Sequence, residues 1–345
     1  MKKLGGFNKV IYFFNLIAAT LLLISFVLPF VPPKSFPTLS LLSLAVSPLL
    51  LLNILFAVYW LIRLKKQLWL SIIILFIGYI HFNAFVRFSS ESSQEAFSNS
   101  LKLMTYNVRL FNAYETNNDE EVPNKMKDLI LSESPDIVCL QEYYAIDGLY
   151  FSNYNYDYIH FKKTKNNRKV KLGHAIFSKF PIINQGAFDF PDTGNNVLFV
   201  DIVKGQDTLR VYNLHLQSLK INPTVIELKE TSSQKLRKRV STAFVMQQEQ
   251  MLQVLEHLKI SPYPIILAGD FNNTPFSFVY RKMKTVLNDA FLERGNGLGS
   301  TYKFDFYPMR IDYIFSDSFF ETLQFKTIKE SYSDHYPVTS LFGWN

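Results

Sequence analysis

Apolar and polar positions divide this chain into two unlike parts. Before residue 88 the sequence is dominated by three stretches free of Asp, Glu, Lys and Arg: Val10–Val31, Thr38–Ile62 and Leu68–Val86. Each has the length of about 17–25 residues that a helix needs to cross a ~30 Å hydrocarbon core. The pattern therefore predicts three transmembrane helices over residues 1–88. Residues 89–100 (SSESSQEAFSNS) are polar and serine-rich, which is the composition of a linker.

From Leu101 the rhythm changes to short β-branched and aromatic runs punctuated by turns. Strands are predicted at Leu101–Tyr106, Asp136–Leu140, Tyr156–Phe161, His174–Ser178, Val197–Val203, Leu209–Leu214, Pro264–Ala268, Ile311–Phe315 and Pro337–Leu341. Helical spacing predicts helices at Pro123–Ser132, Ser233–Leu258 and Ser277–Leu287. Strands interleaved with helices indicate a layered α/β or α+β domain over residues 101–345.

Charge sharpens the division. The first 88 residues carry no acid and eight bases, Lys2, Lys3, Lys9, Lys34, Arg63, Lys65, Lys66 and Arg87. Of the 36 Lys and Arg in the chain, 28 are then left against 29 acidic residues, so the net charge of +7 belongs to the apolar segment. A sequence pI of about 9.1 is thus no argument for nucleic acid. Basic residues cluster before the first stretch and between the second and third, and such loops stay cytoplasmic. Three spans would then carry residues after Arg87 outside the cytoplasmic membrane. A cleaved signal peptide fits poorly, because two further apolar stretches follow the first. The single Cys139, inside the apolar run DIVCL, excludes an intramolecular disulfide and reads as a buried thiol.

Polar residues recur where the predicted strands stop. Asn107 follows LKLMTY, Glu142 follows DIVCLQ, His215 follows LRVYNL, and Asp270 and Asn272 follow PIILAG; Asp312 lies in RIDYIF, and Asp334 with His335 precedes the last strand. Strands of one sheet share a rim, where residues distant in sequence converge. Carboxylates, amides and imidazoles without a Ser or Cys nucleophile suit a hard cation such as Mg²⁺, and metal-assisted attack of water on phosphorus. Taken singly, each has a plainer reading: Glu142 as surface, His215 as a satisfied buried histidine, Asp270 and Asn272 as an Asx turn.

Together, the ordered motifs TYNVR, LQE, NLHLQS, GDFNNTP, RIDYIF and SDHYP resemble the endonuclease/exonuclease/phosphatase superfamily over about residues 101–341. The resemblance implies a four-layer sandwich of two mixed β-sheets flanked by helices, with the site at one edge. It implies Asn107, Glu142 and Asp334 as metal-site residues, Glu142 as the principal Mg²⁺ ligand, with Mn²⁺ also compatible. It implies Asp270 as the residue that orients or deprotonates water, Asn272 as a phosphate binder, His335 as a phosphate contact held by Asp312, and His215 as a further catalytic residue. His174 receives no role.

A basic hairpin, Lys162, Lys163, Lys165, Arg168, Lys169 and Lys171, and the helix start Lys235, Arg237, Lys238 and Arg239 are candidate phosphate contacts or solvated faces. Arg310 reads as the partner of a structural salt bridge. The resulting expectation is a membrane-anchored, metal-dependent phosphodiesterase, nuclease-like first. A lipid phosphodiesterase or phosphomonoesterase comes second, and an inactive membrane scaffold third. Its partners are a phosphate-ester substrate, nucleic acid or lipid headgroup, and the bilayer.

Overall fold

The computed structural model describes residues 4–81, 86–90, 92–113, 119–163, 169–191, 193–220, 232–304 and 307–345. Three apolar helices come first: α1 (Gly6–Ser25), α2 (Val46–Ile62) and α3 (Leu68–His81). One buried amide ties them together. Asn15 of α1 donates to Ser71 Oγ of α3 at 2.9 Å and accepts from Trp60 Nε1 of α2 at 2.9 Å. A polar group among apolar helices is stable only when partnered in this way. Elsewhere the bundle turns its large apolar side chains outward, Phe13, Phe14, Leu55, Ile62 and Phe76 among them.

The expectation of three membrane-length helices is corrected to two among the described residues. Gly6–Phe30 and Leu39–Ile62 are continuous, apolar and long enough to cross a membrane. α3 has 14 residues, and at 1.5 Å per residue it extends only ~21 Å. It packs on both longer helices and returns the chain to the end where α1 meets α2: at Gly78 an added Cβ would lie 2.8 Å from Phe26.

The remaining chain lays down β1 (Asn99–Asn107), α4 (Val122–Glu133), β2 (Ile137–Tyr144), β3 (Tyr156–Lys163), β4 (Lys169–Ser178), β5 (Ile182–Asp189), β6 (Asn196–Lys204) and β7 (Asp207–His215). It continues with α5 (Ser233–Lys259), β8 (Ile265–Asp270), α6 (Phe278–Lys284), β9 (Asn288–Asp289), α7 (Ala290–Arg294), β10 (Asp312–Ser316), β11 (Glu321–Thr327) and β12 (Val338–Trp344). Two six-stranded mixed sheets result, ordered β11-β12-β1-β2-β4-β3 and β9-β10-β8-β7-β6-β5. Within them β1–β2 and β7–β8 run parallel. Leu103, Ile137 and Ile176 of the first sheet meet Val200, Val211 and Ile266 of the second across the central core. Met126 and Ile130 of α4 cover the outer face of the first sheet, while Met251 and Val254 of α5 and Met283 of α6 cover that of the second. This is the expected order of layers, helix–sheet–sheet–helix. Cys139 is buried and free, and burial pushes its thiol far up.

The segment that reads as a linker is laid on the domain. Ser92 N–H donates to Leu323 O at 3.0 Å, and Phe97 packs on Gly343. The helical bundle is docked as well. Phe276, from the loop after β8, inserts among Leu22, Phe26, Val46 and Ile74 of the three helices. Beside it, Thr274 Oγ1 donates to Ser43 O at 3.1 Å. Lys34 N–H donates to Gln248 of α5 at 2.9 Å, and the Arg281 guanidinium lies 3.7 Å over the Phe30 ring.

Arg310 forms the expected structural ion pair: its Nη1 lies 2.8 and 3.1 Å from the two Asp289 oxygens, and both side chains are almost solvent-free. It anchors the start of β10. Arg310→Met should destabilise the chain by about 3–5 kcal/mol, because it leaves a buried carboxylate unpaired. The double variant Arg310→Met with Asp289→Asn should recover part of that loss in denaturant unfolding, and equal stability of the two variants would refute this account.

Candidate active site

Strand register brings the predicted residues to one rim. His215 ends β7 opposite Asp270, which ends β8, and Asp270 in turn faces Asp312 at the start of β10. Asn107 ends β1 of the other sheet, and His335 immediately precedes β12 beside it. Gly269 permits the close approach of β7 and β8. It has φ +145°, and any Cβ there would lie 1.9 Å from Leu214 O. The glycine of GDFN is therefore required by packing as well as by backbone angle.

Glu142 is presented by an irregularity in β2. The pairing of β2 with β4 shifts register between Leu140 and Tyr143, and Glu142 adopts φ +51°, in the left-handed region. Such bulges re-aim side chains next to functional sites. His174 supports this one: its Nδ1 accepts the Glu142 backbone N–H at 3.3 Å. Sequence reasoning assigned His174 no role, and its observed place is behind Glu142, buried and kept neutral, since burial pushes its imidazole down to about 4.

Asp312 and His335 form a buried pair, with Nδ1 of the imidazole 3.0 and 3.1 Å from the two carboxylate oxygens. The other ring nitrogen lies 3.8 Å from Asp270 Oδ2. Burial works against the charged imidazole, but the carboxylates of Asp312 and Asp270 outweigh it and hold His335 up at about 10. Burial, followed by the charge of Asp312, pushes Asp270 up to about 8. His215 is buried and held well below the usual histidine range by burial and by its histidine neighbours. Its Nε2 stands 3.6 Å from Asp270 and 3.8 Å from Glu142, and neither ring nitrogen has a hydrogen-bond partner among the described residues.

The Asn107 amide lies between the two acids, donating at 3.3 Å to Glu142 and 3.1 Å to Asp270. Asn272, with φ +50°, closes an Asx-type turn: its N–H reaches Asp270 Oδ1 at 2.7 Å. Its side-chain amide donates to Asp270 Oδ2 at 3.2 Å and to Leu216 O at 3.1 Å, so the turn is tied both to Asp270 and to the end of β7. The plain turn reading is therefore the one the contacts show, and the Asn272 amide is occupied by Asp270 and Leu216 O instead of facing a phosphate. Asp334 pairs with Arg109 at 3.7 Å.

These groups form one end of a cavity of about 480 Å³, lined there by Arg109, Glu142, Asp270, Asn272, Asp334 and His335. Tyr302 also lines it, its ring centroid 4.8 Å from that of His335. Sequence reasoning gave no role to Tyr302 or Arg109, although Arg109 stands in the quoted motif TYNVR. Of the basic hairpin, Lys165 and Arg168 lie outside the described residues, as do the side chains of Lys162, Lys163 and Lys169. Lys171 is exposed and pairs with Asp147 at 3.2 Å, and it does not line the cavity.

The donor set suits a divalent cation. Asp270, Asp312 and His335 offer ligand atoms within 4.8 Å of one another. Burial raises Glu142, and Asp270 shares the Asn107 amide with it, so two acids crowd a point where a cation would relieve their desolvation.

The comparisons with known proteins agree with this fold. No curated protein matches the chain. Residues 8–85 match a domain of unknown function (DUF8431). An endonuclease/exonuclease/phosphatase from Beutenbergia cavernae is similar at 19% identity and TM-score 0.54, over 72% of each chain. The catalytic domain of human nocturnin with bound sulfate is similar at 19% identity and TM-score 0.52, over 71% of this chain and 94% of that one. A Bacteroides thetaiotaomicron mannosyl-6-phosphatase is similar at 18% identity and TM-score 0.50, over 71% of this chain and all of that one. Residues 104–335 match the model of the Endonuclease/Exonuclease/phosphatase family. The chain belongs to this family, whose members are metal-dependent phosphoric ester hydrolases.

Proposed function

We propose that the chain is a membrane-anchored phosphodiesterase that cleaves its substrate outside the cytoplasmic membrane. The observation that carries the chemistry is the buried His335–Asp312 pair beside Asp270, with Asp270, Glu142 and His335 lining one cavity and the Asn107 amide bridging Asp270 and Glu142. Glu142, with Asp334 nearby, would hold Mg²⁺ or Mn²⁺, and Asn107 would join them only through its carbonyl oxygen, which here accepts the Arg109 N–H. A cation there supplies positive charge for the phosphoryl oxygens. Asp270, fixed by Asn107 and Asn272, orients a water and takes its proton as the water oxygen bonds to phosphorus. The ester P–O bond opposite breaks, and the departing alkoxide takes a proton from solvent at the cavity mouth. His335, charged by Asp312, stabilises the phosphoryl oxygens, and His215 lines the back of the site. A nuclease-like substrate is compatible with this chemistry.

Two membrane-length helices with outward apolar side chains support the anchor. The connection between α1 and α2 touches the catalytic domain, so the two share one side of the bilayer. The Arg63–Lys66 loop, at the other end of α2, supplies the basic cytoplasmic signal. A cytoplasm-only fluorescent reporter fused after Asn345 should therefore stay dark, while a periplasm-active phosphatase fusion should be active. The reverse pattern would overturn the topology.

Glu142→Gln keeps the shape of the side chain but removes a charge the cation needs. Activity should fall by orders of magnitude and return in part at high Mg²⁺. Full activity of the wild type in EDTA would exclude the metal mechanism.

Asp270→Asn and His335→Ala should each lower turnover by about 10²–10⁴-fold. The double variant should be little worse than the worse single one, since both act in one transition state. Asp312→Asn should be milder than His335→Ala, because the imidazole is still present. Near-wild-type rates for folded variants on bis-p-nitrophenyl phosphate, plasmid DNA, sphingomyelin and inositol phosphates alike would make the cluster structural.

A further inference from the structure

The catalytic end accounts for only part of the cavity. Its other wall is aliphatic, made by Leu219, by Leu236 and Val240 on the first turns of α5, by Met309, and by Leu41 and Leu44. The last two belong to the anchor. They lie at the start of the apolar helical stretch Leu39–Ile62, one of the two of membrane length, and they pack against Leu219, Val240 and Phe244. Contacts on either side fix this wall: Thr274, four residues beyond Asp270, bonds Ser43 O, and Lys34 N–H bonds Gln248 of α5. The outer face of the same turn of α5 exposes Lys235, Arg237 and Lys238.

Resting on the phosphodiesterase reading, we propose that the substrate is an amphiphilic phosphodiester taken from the bilayer, with an alkyl or acyl chain on the wall of Leu41, Leu44, Leu236 and Val240 and its phosphate between Glu142 and His335. Two independent observations support this. An apolar wall contiguous with a charged site matches a molecule with an apolar tail and an anionic head, and burying each methylene against it is favourable. That wall is also built by the end of a membrane-length helix, so the tail leaves the hydrocarbon layer beside the place where it would bind. The exposed bases of α5 face the anionic headgroup layer at that level, where each contributes attraction to the surface.

The test uses the full chain in nanodiscs and a series of methyl, butyl and octyl p-nitrophenyl phosphodiesters, read as nitrophenolate release. The wild-type kcat/KM should rise along the series, by about tenfold for every two methylenes the wall buries. In the Leu41→Asn, Leu44→Asn double variant the octyl-to-methyl ratio should collapse. Leu236→Asn, on the opposite side of the wall, should lower the ratio too and serves if the double variant misfolds. Partitioning into the nanodisc is common to all the proteins, so equal ratios in wild type and variants would overturn the inference. Cleavage of single-stranded DNA or RNA by the wild type with higher kcat/KM than the octyl ester would overturn it in favour of nucleic acid. A flat series on an active wild type removes the amphiphile alone, whereas no hydrolysis of any ester removes the phosphodiesterase reading beneath it.

Discussion

Two carboxylates, Asp270 and Asp312, sit opposite each other on adjacent strands with almost no access to solvent. Left alone, like charges at such a place would not both stay ionised. His335 resolves the conflict from the other sheet. One ring nitrogen bonds Asp312 and the other faces Asp270, so a single imidazolium lies between two acids. The rest of the rim follows from keeping that ring in place. Ser333, two residues earlier, donates to Asn107 O at 2.8 Å, and Thr301 Oγ1 accepts the backbone N–H groups of Ile311 and Asp312 at 3.0 Å. The two sheets are therefore joined at the site by charge as well as by the apolar core between them. Sliding one sheet past the other would separate the imidazolium from its acids.

Strained backbone gathers at the same place. Glu142 and Asn272 both occupy the left-handed region, and so do four consecutive residues, Arg109 to Asn112, just beyond Asn107. Each such residue costs of order 1–3 kcal/mol and persists only where its surroundings over-determine it. The surroundings here are identifiable. The bulge at Glu142 is held by His174, the turn at Asn272 by Asp270 and Leu216, and the left-handed turn by Phe111, which is buried against Tyr143. In each case the strain aims a polar side chain at the cavity that a regular strand end would have directed elsewhere.

Much of this was legible in the sequence, for a physical reason. Strands buried on both faces are continuous apolar runs, and a polar residue ending such a run lies on the rim; hence Asn107, His215 and Asp270 could be read as neighbours from LKLMTY, LRVYNL and PIILAG. The strands that escaped notice are less apolar. Ile182–Asp189 is an edge strand with several exposed positions, and Glu321–Thr327 alternates too loosely to stand out. A strand end reads as a rim position, and Asp270 and His335 lie deeper than such a position suggests. All three, Asp270, Asp312 and His335, are buried, and the Tyr302 ring packs on that of His335. Neither the bulge at Glu142 nor the support from His174 leaves a local signal, since no glycine or asparagine marks the left-handed residue. The third predicted span is described as α3 only as far as His81, and its residues 82–85 lie outside the described residues.

The largest departure concerns the relation between the two halves of the chain. A serine-rich segment between apolar and folded regions reads as a flexible tether, which would leave the site indifferent to the anchor. Instead the loop after β8 extends from Asp270 into the helices: Asp270 is followed within four residues by Thr274 on Ser43, and then by Phe276 among Leu22, Phe26 and Val46. The side of α5 that carries Gln247 bonds Gln217 O and Asn272 O, while the neighbouring Gln248 accepts the N–H of Lys34. A displacement of the connection between α1 and α2 would thus be felt at Asn272 through one helix and at Asp270 through one short loop. Packed interiors transmit such shifts instead of absorbing them. The helices are therefore part of the scaffold that holds Asp270 and Asn272 in place.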